Sequence, residues 1–228
     1  MKKKNFIINR HKTRSIKIGN NLSIGANADI AVQSMCNIKT EFINKVIKQI
    51  RSLETAGCEI IRVSVKDDAD AAALKKIIAQ INIPLVADIH FDYKLALKSI
   101  AAGVHKLRIN PGNITAAWKI KEIVCAAKDR NIPIRVGVNL GSLEKKIAAK
   151  LELGKLSIPQ AMTLSAIKEV ELLEKFDFQN IVVSLKTSDT LSTIESYKQF
   201  SALRDYPLHL GITEAGTLRA GLIKSAFG

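Results

Sequence analysis

Seven short apolar runs recur along the chain, and most carry charged or amide residues on alternate positions near their C-terminal ends. The clearest lie at 60–65, 86–90, 106–110, 134–139 and 181–186. Side chains of a strand alternate between faces, so Arg62 shares a face with Ser64, Asp88 with His90, Arg108 with Asn110, Arg135 with Asn139, and Ser184 with Lys186. A parallel strand covered on both sides is expected to be almost wholly apolar. Polar residues repeated at one end of successive strands therefore point to a shared site.

Helical stretches at 41–56, 69–80, 93–102, 116–130, 160–176 and 190–203 separate these runs, the alternation expected of parallel βα units. Gly57 and Gly103 close helices, while Pro84, Pro133 and Pro207 open the strands that follow. Strands are expected to begin near 31, 60, 84, 106, 132, 180 and 207, which makes seven βα units where eight would close a TIM barrel. Ahead of them, 15–18 and 22–24 flank Gly19, Asn20 and Asn21 as a small β-hairpin. The polar segment 141–159 reads as a long loop or a short extra helix over the strand ends.

The expected fold is α/β: a TIM (β/α)8-type barrel truncated to about seven βα units and preceded by a short β-hairpin. It divides into a basic N-terminal tail over 1–14 and an incomplete, substrate-binding barrel domain over 15–228. A doubly wound open sheet is the alternative, but it would gather its polar residues at a switch point only. The sequence ends at Gly228 inside the helix after the seventh strand, and an open sheet would leave edges unpaired, so a fragment or a completing partner is expected.

With 228 residues, 47% of them hydrophobic, the chain can bury a substantial core, which excludes a disordered protein. The 35 Lys and Arg against 21 Asp and Glu give a formal charge of +14, which suits either a lysine-rich solvated surface or an anionic partner. The basic residues are scattered and aromatics are only 5%, so a nucleic-acid platform is not expected. Cys36, Cys58 and Cys125 lie far apart, without paired spacing, as in a reducing cytoplasmic setting. The N-terminal apolar stretch is too short for a signal-peptide core, and no run reaches the roughly 18 residues of a membrane span.

In a (β/α)8 barrel, inward residues at the C-terminal strand ends form the site. That rule gathers Arg62, Asp88, His90, Arg108, Asn110, Arg135, Asn139, Lys186, His209 and Glu214 around one cavity mouth. Guanidinium forks grip carboxylate or phosphate oxygens in bidentate fashion, so three arginines and a lysine suit a di- or polyanionic ligand. Any one arginine could instead serve an internal salt bridge with Asp88, but Asp88 and Glu214 together supply too little negative charge for all of them. His90 and His209 have no third His or Cys at ligand spacing, so no metal site is expected, and they suit hydrogen bonding or proton transfer. Glu214 could exchange a proton with a ligand or serve as a helix N-cap.

The segments VQSM at 32–35, RVSV at 62–65, PLVADIHFD at 84–92, LRINPGN at 107–113, RVGVNLGSL at 135–143 and LHLGITEAG at 208–216 resemble, in order, the barrel domain of the 4-hydroxy-3-methylbut-2-en-1-yl diphosphate synthase family. The resemblance runs from about Thr13 to Gly228. It implies an oxidoreductase of non-mevalonate isoprenoid biosynthesis that reductively opens 2-C-methyl-D-erythritol 2,4-cyclodiphosphate with two electrons from flavodoxin or ferredoxin. It implies that Arg62, Arg108, Arg135 and Lys186 grip the diphosphate, that Asn110, Asn139, His90 and His209 position it, that Asp88 orients them, and that Glu214 is the proton donor. Family members continue into a domain whose three Cys and one Glu hold a [4Fe-4S] cluster and which covers the cavity of the other subunit in a homodimer. Cys36, Cys58 and Cys125 do not match those ligands, so the cluster is expected for the family but its ligands are not in this chain. An inactive remnant that binds diphosphate at most, and a pterin-binding barrel of the dihydropteroate synthase type, are the alternatives.

Overall fold

The structure is a computed structural model that describes residues 11–114 and 116–228. The basic tail expected over 1–14 therefore lies outside the described residues up to position 10. From there Arg14 is anchored, donating to Asp205 Oδ1 at 2.8 Å and stacking over the Tyr206 ring.

A two-stranded antiparallel hairpin, β1 (Ser15–Ile18) and β2 (Leu22–Gly25), precedes a six-stranded parallel sheet. The sheet comprises β3 (Gln33–Met35), β4 (Ile60–Ser64), β5 (Leu85–Asp88), β6 (Lys106–Ile109), β7 (Ile134–Asn139) and β8 (Ile181–Lys186), paired in sequence order. Helices α1 (Ile43–Thr55), α2 (Asp68–Ile78), α3 (Tyr93–Ala102), α4 (Ala117–Asp129), α5 (Lys145–Glu152), α6 (Ile158–Glu174), α7 (Thr190–Leu203) and α8 (Leu218–Phe227) complete the order. The segment 141–159 holds part of a 3-10 turn (Leu140–Ser142), all of α5 and the start of α6, whose Ser157 and Gln160 form a reciprocal capping box.

The expected seventh strand is reduced to a single parallel bridge, Val183 with Leu208. Val183 donates to Pro207 O and His209 donates to Val183 O, at 3.0 and 2.8 Å. Beyond Leu210 the missing Cβ of Gly211 leaves room for Lys186 Nζ 2.8 Å from where it would stand, and Thr213 donates to Thr187 O at 3.2 Å. No second neighbour among the described residues extends the ladder.

The alternation of side chains sorts the sheet into two faces. Ile61, Val63, Leu85, Ala87, Leu107, Ile109, Val136, Val138, Val183 and Leu185 face the helices and belong to the main core cluster. Their partners in the pleat, Arg62, Asp88, Lys106, Arg108, Arg135, Gly137, Ser184 and Lys186, turn to the concave side. At the N-terminal end of that side Ile60 and Val86 pack with fully buried Ile18 of the hairpin. The hairpin thus closes one end of the curled sheet with apolar contacts, and the polar residues occupy the other. Gly19 makes this approach possible, because it takes φ +63° and a Cβ there would stand 3.0 Å from the His105 ring.

Candidate functional site

Register brings the charges together. Asp88 stands opposite Arg108 across β5 and β6, and Arg108 opposite Arg135 across β6 and β7. Gly137 pairs with Ser184, and Asn139 with Lys186. Arg62, Asp88, His90, Arg108, Arg135, Gly137, Asn139 and Lys186 line a cavity of about 330 Å³, with Met35, Ser184, Ile212 and Thr213 among its other walls.

Asp88 is the buried anchor of this group. Its Oδ1 lies 3.1 Å from Arg108 Nη1, and its Oδ2 lies 3.6 Å from Arg62 Nε and 3.5 Å from His90 Nε2. Arg62 also donates from Nε and Nη2 to Met35 Sδ at 3.1 and 2.8 Å, weak acceptors for so strong a donor. Arg108 Nε and Arg135 Nε and Nη1 are buried without a partner among the described residues. Such donors are costly to bury and are ready to bind an incoming acceptor. Gly137 creates the space: a Cβ there would lie 3.0 Å from Arg108 Nε and 3.4 Å from Arg135 Nη2.

The electrostatics follow from crowding like charges in a partly dry cavity. Burial and the neighbouring Arg62 and Arg108 lower the Arg135 pKa, although a guanidinium remains charged. Burial lowers Arg62 as well, opposed by Asp88. The Lys186 ammonium is pushed down to about 7 by burial, then by Arg135, Arg62 and Arg108. An anion in the cavity would reverse those last contributions and return its proton.

Three of the ten expected residues are not among those lining this cavity. Asn110 is buried just beyond the end of β6, but its Oδ1 turns back to accept from Gly112 N at 3.0 Å, capping a 3-10 turn (Pro111–Asn113), and it does not line the cavity. His209 lines a separate cavity of about 360 Å³ near the hairpin, with Gln33 and Lys106. Burial and then Arg135, Lys186, Lys106 and Arg62 hold its imidazole well below the ordinary range, so it is neutral. Glu214 is exposed, with φ +50°, past the cavity-lining Ile212 and Thr213. The loop after Gly211 aims those two residues inward and Glu214 outward, which strand alternation cannot foresee.

Lys106 is the residue the sequence reading passed over. It is fully buried on the concave side, donates to Gln33 Oε1 at 2.9 Å, and is pushed down to about 7 by burial and by Arg135 and Arg62. The signal was present, since Lys106 shares a face with Arg108. Attention to strand C-termini hid it.

Comparison with known proteins decides the family. The family model described as the GcpE TIM-barrel domain matches residues 13–228. The chain belongs to the GcpE family. It is 58% identical over 219 residues to the 4-hydroxy-3-methylbut-2-en-1-yl diphosphate synthase (flavodoxin) of Caldanaerobacter subterraneus subsp. tengcongensis, covering 96% of this chain and 61% of that protein. It is 52% identical to the protein of the same name from Geobacillus thermodenitrificans, covering 97% of this chain and 58% of the relative. This GcpE chain thus spans about three fifths of the length of the curated relatives it matches. Among solved structures it is similar to Xanthomonas albilineans dihydropteroate synthase, with TM-score 0.64 and 10% identity over 95% of this chain and 90% of that one. The Yersinia pestis enzyme of that name gives TM-score 0.58 at 10% identity, covering 88% and 76%. At such identity the likeness shows the barrel fold alone.

Two further observations bound the GcpE chain. Among the described residues no group of three or more His, Cys, Asp or Glu is placed to hold a metal, and Cys36 and Cys58 are buried while Cys125 is exposed on α4. These residues do not fit a [4Fe-4S] cluster, which takes four protein ligands. No described helix is long and apolar enough to cross a membrane.

Proposed function

We propose that this chain is the substrate-binding barrel of a 4-hydroxy-3-methylbut-2-en-1-yl diphosphate synthase and that its cavity holds 2-C-methyl-D-erythritol 2,4-cyclodiphosphate. The observation that supports this most is the charge imbalance: Arg62, Arg108, Arg135 and Lys186 line one cavity in which Asp88 is the only carboxylate among the lining residues. A cyclic diphosphate supplies the missing negative charge and enough oxygens for several guanidinium donors.

The chain's own residues bind and orient. Asp88 fixes Arg62 and Arg108 before the ligand arrives, and the unpartnered N–H groups of Arg135 are available to the anion. Lys186 gains its charge as the anion enters. Asn139, tied to Ser142 Oγ at 3.1 Å, and His90 at the rim help orient the ligand. The roles of Asn110, His209 and Glu214 rest on resemblance. Asn110 and His209 act from behind the cavity wall, and Glu214, the candidate proton donor, would act from the rim. The electrons, from flavodoxin or ferredoxin through a [4Fe-4S] cluster, the covering domain of a homodimer and a cytoplasmic setting belong to this proposal through the family. The names of the relatives, which specify flavodoxin, support it.

Titration calorimetry of the 228-residue chain with the cyclodiphosphate tests the proposal. Wild type should bind, and Arg108→Met and Arg135→Met should each lose at least about thirtyfold in affinity while keeping a cooperative thermal transition. Unchanged affinity in both variants would overturn the assignment of the cavity.

A further inference from the structure

Glu169 sits on the buried face of α6, is not among the residues that line the cavity, and is 7% exposed. A carboxyl in such a place is ordinarily paired, because burying it costs several kcal/mol. Yet its Oε2 is buried without a partner among the described residues. Two donors in the neighbouring strand and turn share that condition, Arg108 Nε and Asn110 Nδ2. The three are complementary: one acceptor with two donors.

The turn after β6 links them. A Cβ at Gly112 would lie 3.1 Å from Asn110 Oδ1 and 3.3 Å from Glu169 Oε1, so the turn packs directly on the Glu169 carboxyl. Arg108 faces the same carboxyl electrostatically, drawing its pKa down while burial raises it to about 8. Among the described charged groups, Arg108 is the one that acts on Glu169 in this way. On its other side Arg108 is held by Asp88 at 3.1 Å.

We propose that Glu169 is a positioning residue of the anion cavity, its Oε2 accepting from Arg108 Nε and Asn110 Nδ2 directly or through one water, so that Arg108 is braced from behind as Asp88 braces it from the front. This rests on the reading of the cavity as a diphosphate site. It also accounts for three buried polar atoms that would otherwise each weaken the fold for no return. A bidentate grip by Arg108 needs its guanidinium plane fixed, and one carboxylate at Nη1 leaves rotation about that contact free.

Two measurements on the 228-residue chain test it, with inorganic pyrophosphate as the probe. The first needs no ligand. The Arg108 Nε–H resonance, assigned by its loss in Arg108→Lys, should shift in Glu169→Met and shift less in Glu169→Gln, which keeps one acceptor oxygen. The second is affinity: Glu169→Met should weaken pyrophosphate binding about tenfold, the effect of one hydrogen bond to a charged group, and Glu169→Gln should stay within about twofold of wild type. The Tm of Glu169→Met should fall below that of wild type, because Arg108 Nε and Asn110 Nδ2 are left buried without an acceptor, and Glu169→Gln should recover part of the loss. An unmoved Nε–H resonance overturns the contact. Wild-type affinity in Glu169→Met, or a loss that Glu169→Gln does not rescue, overturns the positioning role while leaving the diphosphate reading intact. A wild-type chain that does not bind pyrophosphate, with the resonance shift present, overturns the diphosphate reading and with it the role of Glu169 in anion binding, but not the contact.

Discussion

Gly137 shows how one absent methyl group shapes the site. Its pro-Cβ position lies 3.0 Å from Arg108 Nε and 3.3 Å from Arg108 Nη2, so Gly137→Ala must displace the buried Arg108 guanidinium. We expect about tenfold weaker pyrophosphate binding with a stability loss of about 1 kcal/mol, read by calorimetry and urea unfolding. Lys106 gives a prediction of the opposite character. Its folded pKa of about 7 lies below the ordinary 10.5, so between those values the unfolded chain binds a proton that the folded chain has released. Stability should therefore rise with pH through that window, by at most about 1.4 kcal/mol per pH unit from this group. Glu169, raised to about 8, acts in the reverse sense below that pH, and Cys36, raised from 9.0 to about 11, opposes the lysines at higher pH, so thermal melts of wild type and Lys106→Met are compared from pH 8 to 9. Lys106→Met should flatten the rise, and a wild-type profile that already falls over that range contradicts the assignment. Lys106 was open to the same period-two argument that found Arg108. Glu169 was not, because nothing local distinguishes a buried helical glutamate from a solvated one.

At the scale of elements, the helix boundaries followed from local chemistry, and α3 and α7 span the expected residues. Asp92 and Asp189 cap their N-termini and Gly103 ends α3 in the left-handed conformation, signals written within a few residues of each helix. The seventh strand is reduced to one bridge, since a strand exists only where its ladder continues, and Leu208 pairs with Val183 at a single position. The hairpin was foreseen as a hairpin but not as a plug. Ile18 is fully buried against Ile60 and Val86, at the end of the sheet opposite the cations. Ile18→Ala should therefore cost about 2–4 kcal/mol in urea unfolding and leave pyrophosphate affinity within about twofold. A large loss of affinity would mean that the two ends of the barrel are coupled.

Across the whole molecule, the main apolar core lies between strands and helices, while the C-terminal end of the concave side carries a cluster of cations around Asp88. The curled sheet is open between β3 and the bridge at Leu208, where Ile30, Val32 and Leu210 are 77%, 56% and 61% exposed. Taken by itself, the 228-residue chain should self-associate through this edge at physiological salt, where its charge of +14 is screened beyond about 8 Å. Light scattering should show association that rises with concentration and is suppressed by Val32→Lys, and equal association in that variant would place the contact elsewhere. The sequence by itself determined the βα alternation, the faces on which the polar residues stand and the cationic character of the strand ends, because periodicity and side-chain chemistry are local properties. Only the tertiary structure decided that Asn110 turns back to cap its own loop, that His209 lies with Lys106 near the hairpin, that Glu214 is exposed past the cavity wall and that Glu169 is buried against the turn at Gly112. Those outcomes depend on loop paths and on which helix packs over which strand, and contacts so distant along the chain leave no periodic trace in it.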